Sequence, residues 1–120
     1  MPSYKSTILD DLREEFGDNF PDLSEKEIIG YVISKGKESW DIYTKKKNNT
    51  LLTNGKDIDL KKTAECAYIS GSKNVLKHCI DEMSDILPPN TMLAYRVLLE
   101  DMDKHKNLKD RIEHLKSPTL

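Results

Sequence analysis

Apolar residues recur at helical spacing along almost the whole chain, and each run ends in a residue that stops helices. Tyr4, Ile8, Leu9, Leu12 and Phe16 predict a first helix from Ser3 to Phe16, closed by Gly17. A second starts at Ser24, where Ser24 and Glu27 have capping-box spacing and Leu23 and Ile28 that of the flanking hydrophobic staple. Its stripe runs through Ile29, Ile33, Gly36, Trp40 and Tyr43, with Ile28 and Val32 broadening it. Gly30 and Gly36 predict either close approach of a neighbouring helix or a break near Lys35-Gly36. The helix fades in Lys45-Lys46-Lys47-Asn48-Asn49, where lysines complement the negative end of the dipole.

The segment at 48–59 is the exception to the helical pattern. Leu51-Leu52, Asn54-Gly55 and Ile58-Asp59-Leu60 suit a small β-hairpin with a two-residue turn, and suit a plain loop equally. Beyond it, Asp59 is placed to cap a helix carrying Leu60, Ala64, Ala67 and Tyr68 that ends at Ser70-Gly71. Ser72 is placed to cap the next, with Val75, Leu76, Cys79, Ile80, Met83, Ile86 and Leu87 as its apolar stripe before Pro88-Pro89. Asn90 or Thr91 then caps a helix bearing Leu93, Ala94, Val97, Leu98 and Met102. Leu108, Ile112 and Leu115 continue the period, as one long helix or as two. The expected fold is a single all-α domain spanning residues 1–120, a compact bundle or array of five to six short helices with short connections.

Size and composition agree with this. At 120 residues the chain is one domain's length and long enough to bury a core without staples. No run approaches the roughly 18 apolar residues of a membrane span, and the polar N-terminus does not read as a secretory signal. Cys66 and Cys79 both lie within apolar helical patterns, as thiols used as small hydrophobes do. A cytoplasmic protein is the expectation.

Charge adds the one asymmetry. The net charge of −2 hides a local −5 over residues 1–30 (three cations, eight acids) and +5 over residues 31–80 (ten lysines, five acids). Residues 81–120 hold six cations and eight acids. Two patches stand out as partner surfaces: Asp10, Asp11, Glu14 and Glu15 on the first helix, and Lys45, Lys46 and Lys47 at the end of the second.

The patterns that would announce chemistry are missing from the sequence. There is no Gly-rich phosphate loop, no G-x-S-x-G and no H-E-x-x-H. Cys66, His78 and Cys79 lack zinc-site spacing, His78 points away from Cys79 on a helix, and His105 and His114 fall on polar faces. No metal, cofactor or catalytic residue is therefore expected. Residues 57–82 resemble a single ankyrin repeat, with Ala67 to Gly71 at the small pair and turn glycine, but the Thr-Pro-Leu-His signature is absent. A generic helical hairpin describes them.

By elimination the expectation is a small non-catalytic protein–protein interaction or regulatory module, of the stoichiometric inhibitor, immunity or adaptor type that phages and bacteria carry. The alternative is a nucleic-acid-binding regulator, with Lys45, Lys46, Lys47, Lys56, Lys61, Lys62, Lys73 and Lys77 tracking a backbone beside Trp40 and Tyr43. Arginine, the bidentate reader of phosphate and guanine, is absent from that segment.

Overall fold

Residues 63–69 are all buried, although Thr63 and Glu65 are among them. A helix buried all round belongs at the centre of a bundle, and this one does: α3 (Lys56–Ser70) packs against α1 (Thr7–Phe16), α2 (Glu25–Asn48), α4 (Lys73–Met83), α5 (Pro89–Asp101) and α6 (Leu108–Lys116). These ranges come from a computed structural model that describes residues 7–18, 23–49, 51 and 54–116. The all-α expectation holds, with six helices and no strand among the described residues. The expected helical turn over Ser3 to Ser6 lies outside them.

The hairpin alternative fails at Lys56. Asn54-Gly55 does turn the chain, but into α3, with the Ile58 and Asp59 amides donating to Gly55 O at 3.1 and 3.2 Å. As a helix this stretch buries Leu60 completely in line with Ala64, whereas a lone hairpin would leave it half solvated. Asp57 and Asp59 sit in the positive first turn, so Asp59 is an internal residue of α3 and not its cap.

Helix α2 runs unbroken through both glycines. Ser24 Oγ accepts from the Glu27 amide at 3.3 Å, as the capping box requires. Gly36 is a close approach: a Cβ built on it would lie 3.1 Å from Cys66 Cβ. The buried stripe is Ile28, Val32, Ser39 and Tyr43, displaced from the expected one, so Ile33 is 43% exposed and Trp40 only half-buried.

Gly71 closes α3 in a Schellman motif: its φ is +80°, Ser72 N donates to Ala67 O at 2.8 Å, and Gly71 N donates to Tyr68 O at 3.2 Å. Ser72 makes no side-chain cap on α4; its hydroxyl meets Ser70 Oγ at 3.1 Å instead. α4 stops at Met83, short of the expected Leu87, and the chain turns through residues 84–86, with Leu87 N donating to Met83 O at 2.8 Å before Pro88. α5 is started by Pro88, extended at the cap position, with Pro89 in the first turn, and not by Asn90 or Thr91. The chain breaks again after Asp101, and Asn107 opens α6: its Oδ1 accepts from the Asp110 amide at 2.8 Å. The tail of the protein is thus two helices.

Candidate functional site

The close crossing of α2 over α3 at Gly36 does not extend to α4, and the three helices leave a cleft of 580 Å³ between them. Gly36, Cys66, Ala67 and Cys79 line its inner part, Ile33 and Trp40 come from α2, and Val75 and His78 from α4. The Trp40 ring lies 5.2 Å from the His78 ring and 5.4 Å from Tyr43. Ile33 and Val75 are 43% and 48% exposed, large apolar side chains left to water beside an apolar cavity. Among the described residues Lys37 is the one cation in the lining, and no carboxylate joins it.

Cys66 and Cys79 come together here, as the hairpin about Gly71 requires. Both are free and buried. Burial pushes the Cys79 thiol up to about 12 and the Cys66 thiol well above the ordinary thiol range, so they line the cleft as neutral, oily groups and not as thiolates. The lining is mainly apolar, with Lys37, Ser70, Asn74 and His78 among its polar groups.

The charged patches are partly spent inside the molecule. Asp11 pairs with Lys62 of α3 at 2.7 Å, and Asp10 with Arg13 at 3.3 Å. Lys46 pairs with Asp59 at 2.6 Å, and Lys47 with Glu82 of α4 at 2.7 Å. Glu14, Glu15 and Lys45 are exposed and form no ion pair among the described residues. Of the eight lysines of the basic middle, five (Lys46, Lys47, Lys61, Lys62 and Lys73) face a carboxylate of this chain. The acidic and basic patches are not brought together into one surface.

Glu82 is the best-connected of these groups. One of its oxygens accepts from Lys47 Nζ at 2.7 Å and from the Tyr43 hydroxyl at 2.8 Å. These bonds, that of Lys47 first, hold its carboxyl below the usual range, while burial, and then the same contact, hold the Tyr43 phenol high. A carboxyl depressed in the folded state stabilises fully above its unfolded value, roughly 4.3, and that contribution is lost as pH falls through the folded value. Chemical denaturation between about pH 6 and pH 3 should therefore show stability falling more steeply in the wild type than in Glu82→Gln. Because Lys47 is 49% exposed, the difference should be about 1 kcal/mol or less. Parallel curves for the two proteins would remove the latch between α2 and α4.

No protein-family model, curated protein or solved structure matches the chain. Among the described residues no helix is long and apolar enough to cross a membrane.

The cleft was missed in the sequence because its walls, Ile33, Trp40 and Val75, belong to stripes that read as core. Nothing local distinguishes a helix face that meets another helix from one that meets a gap.

Proposed function

We propose that the protein is a non-catalytic binding module that seats the apolar face of an acid-bearing amphipathic helix of a partner protein in the α2–α3–α4 cleft. The observation that carries this reading is the lining itself: apolar, flanked by exposed Ile33 and Val75, with Lys37 as its only cation and no carboxylate among the described residues. A helix supplies apolar anchors at i, i+3, i+4 and i+7 and a polar face beside them, the recognition mode that grooves between helices support. An acid on that face would complement Lys37 and set register and orientation more than affinity. Exposed Glu14, Glu15 and Lys45 lie outside the cleft and are free for secondary contacts. A stoichiometric inhibitor, immunity protein or adaptor, of phage or bacterial type and acting in a reducing cytoplasm, would need no more machinery than this.

Trp40, the only tryptophan, makes the cleft self-reporting. A displayed library of helix-forming peptides should be selected on the wild type and counter-selected on Val75→Glu and Lys37→Glu, both at exposed positions. Enriched peptides should carry apolar residues at helical spacing with Asp or Glu beside them. They should shift Trp40 emission saturably, and bind each variant at least about tenfold more weakly. Failure to enrich any peptide over the variants would overturn the reading. A Trp40 response to duplex or single-stranded nucleic acid that collapses with salt would replace it with the nucleic-acid alternative.

A further inference from the structure

His105 and His114 are nine residues apart, so on one continuous helix, at about 100° per residue, they would point to opposite sides. The break between α5 and α6 cancels that separation. Their rings stack with centroids 4.4 Å apart and planes 22° from parallel. Asp101, the last residue of α5, joins them, and one donor atom from each of the three lies within 4.8 Å of the other two. His114 is not on a polar face: its side chain is only 7% exposed. Its Nε2 is buried without a hydrogen-bond partner among the described residues, 3.8 Å from Asp101 Oδ2.

A buried imidazole nitrogen aimed at a carboxylate, with a second imidazole stacked beside it, is an expensive arrangement for a structure to keep empty-handed. The loop is held in place by its backbone: His105 N donates to Asp101 O at 3.1 Å, and His105 O accepts from Arg111 Nη1 at 3.1 Å. Lys104 Nζ touches the other Asp101 oxygen at 3.2 Å, but its side chain is 75% exposed and free to leave.

We propose that Asp101, His105 and His114 form a binding site for a first-row divalent transition ion, with Zn²⁺ as the reference case. Two imidazoles and one carboxylate discriminate against Mg²⁺ and Ca²⁺, which take oxygen donors. Bonds of about 2.0–2.2 Å place tetrahedral donors roughly 3.4 Å apart. The cluster must therefore contract by up to about 1.4 Å, and the His105 side chain, on the loop, is the ligand able to move. Three protein ligands leave one position for water or for a donor from a partner. The ion would clasp the end of α5, the loop and α6.

The test is calorimetric titration of the EDTA-stripped full chain with ZnCl₂, and visible spectroscopy with CoCl₂, on the wild type, His105→Ala, Asp101→Asn and the control His78→Ala. His105 and Asp101 are not among the fully buried residues, so both variants should retain the helical circular dichroism of the wild type. Expected are one ion per chain, a melting temperature raised by Zn²⁺, and binding at least about tenfold weaker in His105→Ala and Asp101→Asn but unchanged in His78→Ala. Cobalt bands should lack thiolate charge transfer. No saturable binding, equal affinity in all four proteins, or a thiolate band pointing to Cys66 and Cys79 would each overturn the site.

Discussion

Leu98→Ala is expected to lower the unfolding free energy by about 2–5 kcal/mol, and Leu93→Ala by less than about 0.5 kcal/mol. Both leucines stand on α5 and both belong to its apolar pattern. Yet Leu98 is 1% exposed and Leu93 55%. α5 turns Met92, Ala94, Tyr95 and Leu98 inward, and Leu93, five residues before Leu98, falls about 140° round the helix from it. Truncating Leu98 removes transfer energy and leaves a cavity that its neighbours fill only partly. Truncating Leu93 removes surface that is already half wet. At this chain length each kcal/mol moves the melting temperature by roughly 3–6 °C, so thermal melts separate the two variants without ambiguity. Equal losses would mean that α5 is rotated from the orientation described, and with it the packing of the whole C-terminal half.

That contrast also shows how far the sequence reaches. The ends at Ser24 and Gly71 were legible because each rests on a local rule: a capping box and a left-handed glycine. The rotation of each helix was not. α2 carries apolar residues on two adjacent faces, and only packing decides that Ile28, Val32 and Tyr43 enter the core while Ile33 and Trp40 border the cleft. Ser39 is buried one turn beyond the close approach at Gly36, and no hydrophobicity pattern marks a buried serine. The ion pairs Asp11–Lys62 and Lys47–Glu82 join residues 51 and 35 positions apart, so patches that looked like partner surfaces are in part internal ties. The Asp101–His105–His114 cluster was hidden for the same reason. It exists only because the chain breaks at residues 102–107 and turns back, and the pattern allowed one helix as readily as two.

Arg111→Ala should cost about 2–4 kcal/mol, an effect comparable to a core truncation although it removes a charged residue. Arg111 is 9% exposed. Its Nε donates to Ile69 O at 2.9 Å and its Nη1 to His105 O at 3.1 Å. Ile69 O is one of the last carbonyls of α3, which have no partner within their own helix. The Schellman bonds satisfy Ala67 O and Tyr68 O, and Ile69 O is served from α6 by a cation placed where the helix dipole favours one. Removing the guanidinium strands two carbonyl groups at roughly 1–3 kcal/mol each, offset in part by whatever water reaches them. It also empties the space beside Gly71, where a Cβ built on that residue would lie 3.7 Å from the guanidinium Nη2. Arg111→Lys should recover less than half of the loss, since one ammonium on a flexible stem cannot span two carbonyls held by different elements. Urea denaturation of the three proteins measures both numbers. Hydrogen exchange should show the protection of α6 falling first, because this side chain ties the helix to the end of α3. A loss within about 0.5 kcal/mol for Arg111→Ala would mean that both carbonyls are rehydrated at little cost, and that α6 is held to α3 by its apolar face alone, through Leu108, Ile112 and Leu115.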